Sequence, residues 1–114
     1  MITLEGIDPK MIANNLESSN LIHPGEMIKD EIRSRGITQK KLSEITGITT
    51  SVLNEVLNGK RSVTTEYALL IEAALGIDAD IWIRLQADYD KQKAHQDKAF
   101  LQRLKHVRKY AALL

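Results

Sequence analysis

The stretch that most restricts how this chain can fold runs from Thr38 to Arg61, TQKKLSEITGITTSVLNEVLNGKR. It holds two short helical patterns that meet at Gly47. Thr38 suits an N-cap, because its hydroxyl can accept from a first-turn amide. Leu42 and Ile45 then predict an inward side, with Lys40, Lys41 and Glu44 outward. Gly47 supplies the positive φ of a tight turn, and Ile48 plugs the corner. Thr49 caps the second pattern, in which Leu53, Val56 and Leu57 predict a buried side. Thr50, Ser51, Asn54 and Glu55 share the opposite side at spacings of one, three and four. Asn58-Gly59 ends the pattern, and Lys60 and Arg61 follow in an exposed loop. The unit reads as a helix-turn-helix.

The flanks supply its framework. His23-Pro24-Gly25-Glu26 opens a helix, since Pro suits the first helical position and a first-turn Glu favours the free amides. Met27, Ile28 and Ile32 form its apolar stripe, and Gly36 ends it in a left-handed conformation. His23 stands alone, with no second ligand or carboxylate at catalytic spacing, and reads as structural. Thr64 and Glu66 start a further helix in which Tyr67, Ala68, Leu69, Ile71 and Leu75 are apolar on more than one side, predicting a central core helix stopped by Gly76. Asp78 or Asp80 caps the next, with Ile81, Trp82, Leu85 and Tyr89 expected inward and the two aromatics as anchors. Residues 1–22 read as an N-terminal arm: Ile2 and Leu4 alternate with polar residues, and Asp8-Pro9 is a helix start that places Ile12 and Leu16 on one side.

From Lys91 the composition shifts to KQKAHQDKAFLQRLKHVRKYAALL. Phe100, Leu104, Val107, Ala111 and Leu114 make a seam at alternating spacings of four and three, which Leu101 widens. Lys98, Arg103, Lys105, Arg108 and Lys109 cover much of the remainder. A seam this short needs something to pack on. The organisation expected is therefore an arm at 1–22, a helix-turn-helix domain at 23–90 and a basic amphipathic helix at 91–114.

Charge is segregated along the chain although the total is only +1. Residues 1–22 carry −2, 23–62 carry +2, 63–90 carry −5 and 91–114 carry +6. Such separation suggests distinct surfaces for distinct partners. With 114 residues and no cysteine, the chain has room for one small core and no disulfide or thiol chemistry. The start MITLEGIDPK lacks a basic segment followed by an apolar one, and no run of about 18 apolar residues occurs. The sequence thus predicts no membrane association and a cytoplasmic protein. No nucleophile with its base, carboxylate pair, phosphate loop or metal-spaced cluster is visible, so neither an enzyme nor a cofactor is expected.

A helix that projects short polar side chains from its N-terminus, braced across a Gly turn, fits a DNA major groove about 12 Å wide. Asn54 can pair with both N6 and N7 of adenine, while Thr50 and Ser51 can reach bases or phosphates, and the cap Thr49 is counted with them as a DNA-binding residue. Val52 can meet a thymine methyl. Glu55 can accept from cytosine N4 yet repels phosphate, which favours selectivity over adhesion. Gln39 stands at a helix N-terminus, where amides hold phosphate. Lys40, Lys41, Lys60 and Arg61 are expected to neutralise phosphates and make binding salt-dependent.

Thr38, Gln39, Leu42, Gly47, Ile48, Ser51, Asn58, Gly59, Lys60 and Arg61 fall without gaps where the lambda-repressor/Cro-like (XRE) helix-turn-helix family has its recurrent pattern. The flanking His23-Pro24-Gly25-Glu26, together with Trp82, Leu85, Gln86, Tyr89 and Asp90, resembles the HigA-type antitoxin group. The likeness spans roughly Ile22 to Asp90. It implies an all-α, five-helix DNA-binding domain, with the arm and the C-terminal extension lying outside it. It also implies a homodimer that binds an operator palindrome in double-stranded DNA, represses its own operon and pairs with a HigB-type toxin, a RelE-like, ribosome-dependent mRNA endonuclease. Thr50 and Glu55 stand where relatives often carry Arg. The proposed recognition helix thus has no basic residue, and attraction to DNA moves to Lys40, Lys41, Lys60, Arg61 and the tail. Two other readings fit the residues: a stand-alone transcriptional regulator, and a protein-binding inhibitor whose helix-turn-helix is vestigial.

Overall fold

A computed structural model describes residues 21–114. The described residues form six helices and no strand: α1 (Pro24–Ser34), α2 (Gln39–Thr46), α3 (Thr50–Leu57), α4 (Thr65–Leu75), α5 (Ala79–Gln96) and α6 (Lys98–Ala111). The expected arm at 1–22 lies almost wholly outside them. Two units are distinguished, Ile22–Tyr89 and Asp90–Leu114.

Within Ile22–Tyr89, α1 packs on α3, and α2 packs on both α3 and α4. The core between them is formed by Ile28, Ile32, Leu42, Ile48, Leu53, Val56, Leu57, Val63, Ala68, Ile71, Leu75, Ala79 and Trp82. Each short helix is started by a side chain that takes up an otherwise unpaired amide. Thr38 accepts from Lys41 N–H at 3.1 Å, Thr49 from Val52 N–H at 3.3 Å and Thr64 from Tyr67 N–H at 3.2 Å. Asp78 caps α5, its carboxylate accepting from Asp80 N–H at 2.9 Å.

The His-Pro-Gly-Glu start of α1 has a specific structural cause. Buried His23 is itself the N-cap, its Nδ1 accepting from Gly25 N–H at 2.9 Å, and its ring meets the Tyr89 ring edge-on at 4.8 Å. Pro24 fills the first helical position, where no amide partner is available. A Cβ on Gly25 would lie 1.8 Å from the Val56 carbonyl oxygen, so only glycine lets α1 approach the end of α3 this closely. Gln86 is the second buried polar anchor. Its Oε1 accepts from Val63 N–H at 2.8 Å, which ties the segment before α4 to α5.

Several expected core positions differ. Ile45 is 58% exposed. The inner edge of α2 is instead taken by Ser43 and Thr46, because their hydroxyls donate to the Ile48 and Leu42 carbonyls and brace the turn. Ile81 is 47% exposed, with Gln86 occupying the buried position on α5 that its bond to Val63 requires. Met27 sits at the margin of the α1 stripe, while Ile28 and Ile32 are fully inside. Helix α4 is not buried all round: Ala68, Ile71 and Leu75 face the core, but Leu69 and Leu70 lie on the surface.

The expected boundary at residue 90 is not a helix boundary. No Gly or Pro interrupts residues 90–96, and α5 continues to Gln96. The break comes at Asp97, which caps α6 by accepting from Ala99 and Phe100 N–H at 3.0 and 3.2 Å. No residue of α6 is buried: Leu101 and Leu104 are half-covered, and Phe100 and Val107 are exposed, as is Leu114 beyond the helix end. Among the described residues no helix is long and apolar enough to cross a membrane.

Candidate nucleic-acid interface

The two helices of the Thr38–Arg61 unit are held by interactions that leave one side of α3 free. Gly47, at φ 79°, allows α2 to stop and the chain to reverse within Gly47–Thr49. The Ser43 hydroxyl bound to the Ile48 carbonyl spans that turn, and Ile48 N–H returns a bond to Thr46 Oγ1 at 3.3 Å. Leu53, Val56 and Leu57 anchor α3 in the core. Its other side presents Thr50, Ser51 and Asn54 as exposed residues, with Val52 and Glu55 half-covered. An eight-residue helix fixed along one side can turn its polar side chains neither inward nor away from a ligand.

The structure joins several of the sequence-predicted site residues through their side chains. Asn54 Nδ2 donates to Gln39 Oε1 at 3.2 Å, linking the first residue of α2 to the middle of α3. This orients the Asn54 carboxamide and leaves its Oδ1 for a further donor. Arg61 donates to Glu55 Oε1 at 3.1 Å, an exposed pair between the loop after α3 and the side of α3. Lys40 and Lys60 are exposed, and their ammonium groups make no ion pair among the described residues; the Lys60 backbone N–H donates to the Glu55 carbonyl at 2.8 Å. Thr49 caps α3, its exposed hydroxyl oxygen accepting from Val52 N–H, which leaves the O–H to donate to a ligand.

Three residues outside the expected set support the interface. Lys29 on α1 donates to Asn58 Oδ1 at 2.8 Å, and Asn58 Nδ2 donates to the Asn54 carbonyl at 2.9 Å. The C-terminal end of α3 is thereby fastened to α1. Ser43, the turn brace, is the third. Spacing along one helix cannot show any of these links, because each partner lies on another element or in a turn. Gly59, at φ 75°, lets the chain leave α3 over His23, whose Cβ is 3.4 Å from the position a glycine-59 side chain would take.

Among the described residues no group of His, Cys, Asp and Glu is arranged to hold a metal. The geometry is that of a braced helix offering short hydrogen-bonding side chains at its N-terminal half, which is the geometry of a major-groove reader.

The chain belongs to the HTH_3 helix-turn-helix family, which matches residues 28–82. Within that family it resembles the HigA-type antitoxins. A HigA-family addiction-module antidote protein from Coxiella burnetii is 28% identical with a TM-score of 0.65, the match covering 79% of this chain and 94% of that one. A structure from Nostoc punctiforme, assigned as an antidote protein of a plasmid maintenance system, is 33% identical with a TM-score of 0.63, covering 81% of this chain and 92% of that one. Virulence-associated protein I of Dichelobacter nodosus is 33% identical over 78 residues, 68% of this chain and 72% of the relative.

Proposed function

We propose that this protein is the antitoxin of a HigBA-type module, binding an operator palindrome as a dimer to repress its own operon and neutralising a RelE-like mRNA endonuclease. The observation that carries the DNA half is the exposed row Thr50, Ser51 and Asn54, with Asn54 steadied by Gln39. A carboxamide whose NH₂ is partly committed to a neighbour keeps an acceptor for adenine N6 and a donor for N7, the pairing an Asn makes in the major groove. Lys40, Lys41, Lys60 and Arg61 supply phosphate contacts around it. The toxin half is supported by the likeness to the antidote proteins above. A dimer would set two copies of α3 about one helical turn, roughly 34 Å, apart on the DNA.

One observation favours a second reading, a protein-binding inhibitor that does not read DNA. Residues 22–89 hold eight basic and ten acidic side chains, a net charge of −2 on the very unit that would meet phosphate. A single comparison separates the two. The wild-type protein should shift its promoter fragment at low salt, with Asn54→Ala losing roughly 1 to 3 kcal/mol at one base position. No shift of the wild type at low salt refutes repression. Co-expression with the adjacent reading frame tests the other half: a growth-arresting neighbour silenced by this protein and co-purifying with it is the expected result, and a neighbour without toxicity refutes the antitoxin assignment.

A further inference from the structure

The unit that would read DNA is net negative, and the positive charge of the chain lies elsewhere. Residues 90–114 carry seven basic and two acidic side chains, a net +5. Most of these bases are on α6, where their arrangement is not uniform. At about 100° per residue, Lys98, Lys105 and Lys109 fall within about 40° of one another, with Gln102 beside them. Phe100, Leu104, Val107 and Ala111 occupy the opposite side, and Arg103 and Arg108 border that apolar stripe. The lysine row extends along roughly 16 Å of helix, given about 1.5 Å of rise per residue. All three lysines are exposed, and none makes an ion pair among the described residues; Lys109 rests over the Tyr110 ring at 5.7 Å. Three exposed ammonium groups in a line, without an ion pair among the described residues, present a row of positive charge that an anion of matching extent complements.

We propose that the Lys98–Lys105–Lys109 side of α6 is a sequence-independent phosphate-binding surface for the DNA backbone. It would add to the phosphate contacts of Lys40, Lys41, Lys60 and Arg61, which stand on a unit of net charge −2. The inference rests on the DNA-binding reading above. Charge complementarity selects the partner: a duplex presents phosphates at regular intervals along a strand, and lysines on successive turns meet such a row without requiring any base contact. The apolar stripe is bordered by Arg rather than by opposite charges, and in a parallel pairing with the same stripe of another copy Arg103 and Arg108 would oppose one another across the seam.

The test uses the full chain and the triple variant Lys98→Gln, Lys105→Gln, Lys109→Gln. Glutamine keeps helix propensity and leaves the apolar stripe and the Asp97 cap intact, so circular dichroism should be unchanged. Binding to the promoter fragment and to a scrambled duplex of equal length is measured by anisotropy from 50 to 200 mM salt. Each lost phosphate contact removes about 0.9 from the slope of log K against log salt, so the variant's slope should be shallower by about 2.7 on both duplexes. Across that salt range the wild type should then lose roughly 40-fold more affinity than the variant. A wild type with no promoter preference, but with the same slope difference on both duplexes, sinks the operator reading and leaves this surface standing. Promoter preference with equal slopes overturns this surface and leaves the operator reading intact. Equal slopes accompanied by loss of a co-purifying acidic protein in the triple variant also overturn it, and assign the lysine row to that protein. A wild type that binds neither duplex at 50 mM salt overturns both.

Discussion

Gly25→Ala is a substitution for which two physical effects oppose each other and the structure decides the sign. On propensity alone, alanine in the first turn of α1 should stabilise the protein by about 0.5 to 1 kcal/mol, because it restricts the unfolded chain. The added Cβ, however, would lie 1.8 Å from the Val56 carbonyl oxygen and 2.8 Å from its carbon. Both atoms are backbone, so no rotamer change relieves the overlap, and α1 must move by about 1.5 Å to regain ordinary contact with α3. That movement strains core packing at Ile28, Val56 and Leu57, an overpacking cost of about 1 to 3 kcal/mol or more. It also disturbs the His23 cap on Gly25 N–H, a loss of about 1 kcal/mol. The net expectation is a destabilisation of about 2 to 3 kcal/mol, lowering Tm by roughly 10 to 20 °C for a domain of this size. Thermal melts by circular dichroism at one fixed protein concentration measure it. Gly36→Ala is the comparison, since Gly36 has φ 71° and nothing within 4 Å of its would-be Cβ. It should cost only about 1 kcal/mol, from backbone strain. A Gly25→Ala melt equal to or above the wild type, or a Gly36→Ala loss larger than that of Gly25→Ala, refutes the close-approach argument.

Three further outcomes follow from single interactions. Gln86→Leu keeps volume but leaves the buried Val63 N–H without its acceptor, and should cost about 1 to 3 kcal/mol in urea unfolding; an unchanged midpoint would show that the amide finds another partner. Asp97→Ala removes the α6 cap and should lower helicity of the last segment or cost about 1 kcal/mol locally, read as faster amide exchange at Ala99 and Phe100; unchanged exchange there contradicts the capping role. Glu55→Gln breaks an exposed ion pair with Arg61, so stability should change by less than about 1 kcal/mol. Duplex affinity should nevertheless rise and sequence preference fall, as a carboxylate facing phosphate is removed; weaker binding by this variant would mean that Glu55 positions Arg61 instead of restraining it.

The helix starts were legible because they depend on neighbours in sequence. Thr38, Thr49 and Thr64 each place a hydroxyl within reach of an amide three residues ahead, and the structure uses all three in that way. Gly36, Gly47 and Gly76 were legible as stops for the same local reason. Hydropathy failed where a polar side chain had a specific backbone partner inside. Gln86 is buried because the Val63 amide inside needs its oxygen, and Ser43 and Thr46, half-buried, bond backbone carbonyls, while Ile45 and Ile81 lie about half exposed. The change in composition at Lys91 lies within two residues of the division between the two units, Ile22–Tyr89 and Asp90–Leu114, but it does not mark a helix end: charge determines which surface a helix can face, not where it stops, and Asp97 is where the chain restarts.

The candidate site divides along the same line. Thr50, Ser51 and Asn54 could be grouped from spacing alone, because residues three and four apart share a side of one helix. The bonds Gln39–Asn54, Lys29–Asn58 and Arg61–Glu55 join different elements and needed the fold. Those bonds change what the grouped residues can do. A free Asn54 could sample several rotamers and pair weakly with more than one base, whereas one tethered to Gln39 presents a single acceptor direction and loses less freedom on binding. A double-mutant cycle on Gln39→Ala and Asn54→Ala tests this directly against the promoter. If Gln39 acts through Asn54, the two losses should be non-additive by at least about 0.5 kcal/mol, and Gln39→Ala should relax preference at the same base position as Asn54→Ala. Additive losses, with Gln39→Ala affecting all sequences equally, would make Gln39 a phosphate contact and the bond between them incidental.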